Sequence, residues 1–419
     1  MVILVDANNF FASCERVFHP NLRGQPVVIV SNNDACVISR SNEAKALGIK
    51  MGVPLFEIKD LVLREKVFVY SSNYTLYGDL SDRMMKVISS IIPEIETYSI
   101  DEAFLDMRGY QTSSLLEIGF RIKRTIYQWI GIPVSVGIAP TKVLAKVASK
   151  VAKKNTGVCQ LTDCGVIEQT LKSFPVEDLW GIGGRYTKKL NRHGVFNAYD
   201  LSIQPRGWVA KNFTVNGLRI VNELNSVPCI PVEQFSSKRK AIGSARGFGQ
   251  TISDIGELQE ALSTYTSTCA AKMRSQHSAA SILTVFVQTN YFSKSDKQYG
   301  NCKTIVLPSP TSLTPVLLKY ANYALKAIYR PGFNYKRVGI LLSGFVPDNT
   351  IQQDMFLGNR NLSKLAKLQK VVDRINAKYD RNQLGFACQG FAKRWQMKQE
   401  RLSKKFTTSI KDILVVDIL

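Results

Sequence analysis

The sequence predicts a multidomain α+β fold, and three observations carry that expectation. Apolar runs of strand type alternate with stripes of helical period, without the strict strand–helix alternation of a parallel α/β sheet. At 419 residues the chain is too long for one core, and a soft prior of about 100–200 residues per domain suits roughly three domains. Hydrophobic residues make up 45% of the chain, enough to build several cores and too many for wholesale disorder.

Val2-Ile3-Leu4-Val5 is a continuous apolar run that suits a central strand buried on both faces. It ends at Asp6, which reads either as a turn or cap acid or as the edge of a site. Residues 20–72 look like an insertion, with strands at Pro26–Val30 and Val37–Ser39 and a short helix over Asn42–Gly48. From Tyr74 to Ile92, Leu76, Leu80, Met84, Val87 and Ile91 mark an amphipathic helix. Next come alternating residues around Ile95 and Thr97, then Ala103-Phe104-Leu105, which read as a β-hairpin with Asp101-Glu102 at its turn. A helix over 113–130, a strand over Pro133–Ile138 and a helix over Lys142–Lys153 complete the segment.

With the insertion set aside, the order is βαββαβ, the ferredoxin-like arrangement. It makes the first strand and the hairpin neighbours, so Asp6 and Asp101-Glu102 are expected to meet at one sheet edge. Adjacent acids repel each other. A divalent cation turns that repulsion into ligation, because hard cations seek carboxylate oxygens.

Further along, Gly181-Ile182-Gly183 followed by a helix through Lys188 and Lys189 reads as a helix-hairpin-helix turn, whose N–H groups suit a phosphate. Residues 236–347 form a separable α+β unit. Its strands are expected near 282–287, 303–307 and 337–342, and its helices near 257–276 and 315–329. Lys238-Arg239-Lys240 leads into Ser244-Ala245-Arg246-Gly247, which suits either an exposed strand along a phosphate backbone or a solvated edge strand. Gln352 to Phe356 sits in a linker and reads equally as a loop or as a peptide captured by a partner's groove. A helix over Leu362–Ile375 and a basic aromatic segment over 389–398 follow.

Lys and Arg total 55 against 33 Asp and Glu, a net charge of +22 that favours a polyanionic partner, with nucleic acid ahead of an anionic membrane. The eight cysteines include no CxxC pair and the three histidines are scattered, so neither a disulfide framework nor a zinc site is expected. No signal peptide and no membrane span are expected, which places the chain in the reducing cytoplasm without a membrane partner.

Taken together, Asp6-x-Asn8-x-Phe10-Phe11-Ala12-Ser13-Cys14-Glu15, Ser99-Ile100-Asp101-Glu102-Ala103-Phe104, Gly137-Ile138-Ala139-x-x-Lys142-x-Leu144-Ala145-Lys146 and the glycine turn at 181–183 resemble the Y-family DNA polymerases, in that family's order and spacing. Val30-Ser31-Asn32-Asn33-Asp34, Ser71-Ser72-Asn73-Tyr74 and Trp395-Gln396-Met397 resemble its UmuC-type branch and extend the likeness over nearly the whole chain. The resemblance implies a right-hand polymerase: palm (1–20 and 74–165), fingers (21–73), thumb (166–232), little finger (236–347) and a tail (348–419). It implies error-prone translesion synthesis in the SOS response by a two-metal mechanism. No second acidic cluster suggests a proofreading site. Two other readings are a catalytically silent DNA-damage-binding scaffold, which the intact acid set argues against, and a nucleotide cyclase, which the glycine hairpin and basic C-terminal half argue against.

The resemblance also implies site residues. Asp6, Asp101 and Glu102, with the carbonyl of Ala7, would hold two Mg2+ ions. Asp106 is left aside as lying on its strand's outer face. Phe11 would be the steric gate beneath the sugar and Phe10 its neighbour. Lys45, Asn42 (where many relatives carry Tyr) and Lys153 would contact the triphosphate, with Lys154 a rival to Lys153. Cys36 and Ile38 would cover the nascent base pair. Gly181, Gly183, Arg185 and Arg246 would hold DNA, and Gln352, Met355 and Phe356 a sliding clamp. Implied partners are primer-template DNA, dNTPs, the clamp, a UmuD'-like dimer and a RecA filament.

Overall fold

The structure is a computed structural model that describes residues 1–234, 237–349, 359–379, 383–391 and 393–415. Its contacts divide the chain into two units. The first comprises Met1–Ser31, Ala35–Ser236 and Arg401–Leu419, and the second Asn32–Asp34 and Ser237–Glu400.

In the first unit, β1 (Val2–Ala7) leads into α1 (Phe10–Phe18). The insertion holds β2 (Val27–Val30), β3 (Val37–Arg40), α2 (Asn42–Ala46), α3 (Lys59–Arg64) and β4 (Phe68–Ser71). Its strands form a separate sheet in the order β3-β2-β4. Then come α4 (Tyr74–Ile91), β5 (Ile95–Thr97), β6 (Glu102–Asp106), α5 (Leu115–Ile130), β7 (Val134–Ala139), α6 (Lys142–Ala152) and β8 (Val158–Gln160). These build a five-stranded sheet in the order β5-β6-β1-β7-β8.

The expected βαββαβ core is present, with one correction. β8 adds a fifth strand, parallel to β7. At three residues it is too short to show a period in the sequence. The central strand behaves as its composition requires: Ile3, Leu4 and Val5 are buried on both faces, each contributing roughly 1.5–3 kcal/mol by leaving water.

Gly137 sets how closely α6 approaches this sheet. A Cβ there would fall 2.1 Å from the Ala145 carbonyl oxygen and 2.3 Å from the Ser149 nitrogen, so the helix backbone rests directly on β7. Thr141 caps the helix by accepting from Leu144 N–H. This contact carries Lys142, Lys146 and the following Lys153 over the sheet. The chain continues through α7 (Cys164–Ser173), α8 (Gly184–Asn191), α9 (Ala198–Ser202) and α10 (Arg206–Leu224), which is interrupted at Thr214.

The second unit is built on β9 (Ala241–Ile252), α11 (Ile255–Ser275), β10 (Ser278–Thr289), β11 (Gly300–Thr311), α12 (Thr314–Ile328) and β12 (Tyr335–Pro347). Its antiparallel sheet runs β11-β10-β12-β9, so β9, with exposed Arg246, is an edge strand. The tail helix α13 spans Asn359–Tyr379. Trp395 of the basic aromatic segment is buried in this unit's core, edge-on to Tyr265. All eight cysteines are free. Among the described residues, no helix is long and apolar enough to cross a membrane.

Candidate active site

The pairing of β1 with β6 sets Asp6 directly opposite Glu102. Cross-strand partners of this kind lie within side-chain reach of each other. The hairpin turn is fastened to the end of β1 by Ala7 N–H, which donates to the Asp101 carbonyl at 2.9 Å. Asp101 therefore stands in the turn next to the Asp6–Glu102 pair. The turn is shaped by Ser99, whose Oγ accepts from Glu102 N–H at 3.1 Å and donates to Asp101 Oδ1 at 2.5 Å.

Each strand acid has a lysine partner, Lys146 from the middle of α6 and Lys153 from just beyond its end. Lys153 Nζ lies 2.8 Å from both Asp6 carboxylate oxygens. Lys146 Nζ lies 2.8 and 2.9 Å from those of Glu102 and sits over the Tyr98 and Trp180 rings at 4.7 and 5.2 Å. A third pair, Lys142 with Glu96, is buried at 2.5 Å. Burial pushes the Asp6 carboxyl up to about 6. Lys153 opposes this, while Glu102 and Asp101 add to it. The raised value is chiefly the cost of burying the charge, which Lys153 offsets only in part.

Three carboxylates offer hard oxygen donors, the chemistry that suits Mg2+ rather than a thiolate-seeking metal. Among the described residues, no group of three or more His, Cys, Asp or Glu stands preassembled as a metal cage. Asp6, Asp101 and Glu102 are instead turned onto Lys153, Ser99 and Lys146.

Beside this cluster, Lys45 Nζ donates to Asn9 Oδ1 at 2.5 Å and to Asn42 Oδ1 at 3.3 Å, and Asn9 Nδ2 donates to Asn42 Oδ1 at 3.0 Å. Asn9 reaches them from a left-handed backbone at φ 49°. Burial lowers the Lys45 pKa, and the neighbouring charges of Arg40 and Lys153 lower it further. Lys45, Arg40 and Lys153 therefore share one electropositive patch. Lys153, and not Lys154, is the lysine on Asp6.

Phe11 is half-buried. It stacks on Tyr77 at 4.7 Å and 16°, and meets Tyr74 edge-on at 6.0 Å. Phe10 is buried in the core. Cys36 and Ile38 are partly exposed, Ile38 against the core that holds Phe11. Asp106 requires a correction: it is buried, not on an outer face. It pairs with Arg108 at 2.6 Å and lies opposite Val2, at the other end of β6 from Glu102.

The glycine turn places Gly181 at φ +88°, a backbone that favours glycine, and a Cβ there would also press on Ile220. Gly183 caps α8, and Arg185 is exposed in its first turn. In the second unit, Arg246, Lys336 and Arg337 line a cavity of about 420 Å³ together with Tyr291 and Phe292. Gln352, Met355 and Phe356 lie outside the described residues.

The sequence alone assigns no role to Lys146, Glu15, Asn9, Arg40 or Tyr77. Lys146 could have been found from its place four residues after Lys142, on the same helix face.

Comparison with known proteins agrees with this geometry. Residues 5–150 match the impB/mucB/samB family, residues 239–355 its C-terminal domain, and residues 366–416 a domain of unknown function, DUF4113. The chain is 40% identical to Protein UmuC of Salmonella typhimurium, over 99% of this chain and 100% of that one. It is 28% identical to DNA polymerase IV of Moorella thermoacetica, over 90% of this chain and 93% of that one. Its fold is similar to that of a Y-family DNA polymerase chimera of Dbh and Dpo4, with TM-score 0.67, 22% identity and coverage of 83% and 99% of the two chains. It is also similar to DinB from Sulfolobus solfataricus, with TM-score 0.54, 23% identity and coverage of 82% and 98%. The chain belongs to the impB/mucB/samB family, the UmuC-like members of the Y-family DNA polymerases.

Proposed function

We propose that the protein is a template-directed DNA polymerase that carries out error-prone translesion synthesis in the SOS response, without proofreading. The observation that carries this reading is the alignment of Asp6 with Glu102 across β1 and β6, with Asp101 in the adjoining turn.

Asp6, Asp101, Glu102 and the Ala7 carbonyl are the groups that would hold two Mg2+ ions. When bound, such ions activate the primer 3′-hydroxyl and relieve charge on the departing pyrophosphate. Asp6, Asp101 and Glu102 would supply the carboxylate oxygens for these ions. In this reading the lysines hold the acid cluster together between substrates. Lys153 passes from Asp6 to the triphosphate, joining Lys45 and Asn42 there. Its partly exposed side chain suits it to change partner.

Phe11 lies under the sugar, and its ring excludes a 2′-hydroxyl. Phe10 supports it from the core. Cys36 and Ile38 cover the nascent base pair with modest side chains, which fits a permissive site. Gly181 and Gly183 present backbone N–H groups to a DNA phosphate, and Arg185 and Arg246 add charge along the backbone. Gln352, Met355 and Phe356 dock a sliding clamp, and the tail serves a UmuD'-like dimer and a RecA filament.

Primer extension on a template with an abasic site, with Mg2+ and with or without the partner proteins, tests the reading. Insertion opposite the lesion is expected. DNA binding with no extension on any template, under any of these conditions, would leave a scaffold instead.

A further inference from the structure

The C-terminal strap, within the residues that match a domain of unknown function, runs beneath the helix that carries the gate. On α1, Phe11, Glu15 and Phe18 follow at helical spacing and share a face. Phe11 begins that face, and the strap covers the rest of it. Phe406 is buried, with its ring stacked on Phe18 at 4.7 Å and 8°. Ser403 Oγ donates to Glu15 Oε1 at 2.9 Å. The same oxygen accepts from Tyr77 Oη at 2.6 Å. The Tyr77 ring is the one stacked on Phe11.

Glu15 is an unusual residue to bury. It is fully enclosed, forms no ion pair among the described residues, and leaves Oε2 without a hydrogen-bond partner. Burying a carboxylate on hydroxyls alone is costly, and an apolar side chain would fill the space at less expense. The acid does one thing an apolar residue cannot: it ties two hydroxyls, from segments far apart in sequence, to one point.

A second set of bonds leads to the same place. Asn73 Oδ1 caps α4 by accepting from Leu76 N–H at 3.2 Å. Its Nδ2 donates to the Ser403 carbonyl, Ser403 Oγ and the Lys404 carbonyl at 3.2, 3.0 and 3.2 Å. The helix so capped carries Tyr74 and Tyr77, the two rings that flank Phe11. Arg401 exchanges hydrogen bonds with Ser71, just ahead of this cap.

We infer that the strap from Arg401 to Phe406 is a positioning element for sugar selection: Ser403 fixes Glu15, Glu15 fixes Tyr77, and Tyr77 backs the Phe11 ring. The inference rests on the proposed role of Phe11 as steric gate. A gate discriminates by a ring's position to a fraction of an ångström, so a slack support admits the larger sugar. Ser403 is a positioning residue, since it reaches the nucleotide only through the others.

The test is single-nucleotide incorporation by the full-length chain, with kcat and KM measured separately for a dNTP and the matching rNTP. Ser403→Ala and Tyr77→Phe should each lower the preference for deoxynucleotides by about two- to tenfold, the span of one ordinary hydrogen bond lost. Ser403→Thr, which keeps the hydroxyl, should restore it. A strap that only stabilised the fold would lower both incorporations together and leave their ratio unchanged. Phe11→Ala separates the two layers of the argument. If Phe11→Ala relaxes sugar preference while Ser403→Ala and Tyr77→Phe leave it unchanged, the strap proposal is overturned and the gate stands. If Phe11→Ala itself leaves sugar preference unchanged, the gate assignment fails and the strap proposal falls with it.

Discussion

The acids at the edge of the palm sheet and the acid within α1 are held in different ways. At the sheet edge, Asp6 and Glu102 are paired with lysines, and Lys153 is half-exposed. Within the helix, Glu15 is fully buried and held by the hydroxyls of Tyr77 and Ser403. A lysine on a flexible stem can leave its carboxylate when a cation or a phosphate arrives. Packed hydroxyls have nowhere to go. The first arrangement suits acids that must exchange ligands during a reaction cycle, and the second an acid that must hold a shape.

Replacing the partner on each side sharpens this contrast. Lys153→Ala should lower kcat/KM for the incoming nucleotide by about ten- to a hundredfold in single-turnover incorporation, since it removes the charge proposed to pass from Asp6 to the triphosphate. Tyr77→Phe, on the fixed side, should cost correct incorporation less than Lys153→Ala does. Equal losses would erase the distinction between exchanging and fixed acids.

The next effect is on stability. The Asp6 carboxyl, pushed up to about 6, lies above its ordinary value of 3.8. The folded chain therefore binds that proton more tightly than the unfolded chain. The resulting stabilisation is complete below about pH 4 and is lost as the pH rises through 6. Above that, ionised Asp6 is a burden on the fold. In a chelating buffer at pH 7.5, Asp6→Asn should be more stable than the parent by about 2–3 kcal/mol. Melting temperatures across the pH range should show the gain shrinking through pH 6 and vanishing near pH 4. A pH-independent difference would mean that Asp6 titrates normally.

The smallest effect concerns the tail. Replacing Met355 and Phe356 by Ala should remove clamp stimulation and leave basal extension unchanged, since the pair would act only as an anchor in the clamp's groove. Stimulation that survives in processivity assays would make 352–356 an ordinary loop.

The sequence made the acid site legible because the site follows from strand order. Val2–Val5 and the hairpin around Asp101-Glu102 announce themselves by apolar pattern, and the order of elements makes them neighbours. The long helices were equally visible: α4, expected over 74–92, spans Tyr74–Ile91, and α5, expected over 113–130, spans Leu115–Ile130. Three-residue β8 has no period to read. The Lys153–Asp6 and Lys146–Glu102 pairs depend on how closely α6 rests on Gly137, which no local pattern encodes. The strap was hidden most completely. Ser403 and Glu15 are 388 residues apart, and the segment around Ser403 is irregular and polar, with neither helical nor strand periodicity.

The account stands on Asp101, the acid that the hairpin turn delivers to the Asp6–Glu102 pair. The most direct measurement is Mg2+-dependent primer extension by Asp101→Asn beside the parent chain, with primer-template affinity measured in parallel. Extension should fall by about a thousandfold or more while DNA binding stays unchanged, because the substitution removes the charge proposed to hold metal and keeps the shape of the turn. Extension near the parent's rate would contradict the assignment of this acid cluster as the catalytic centre.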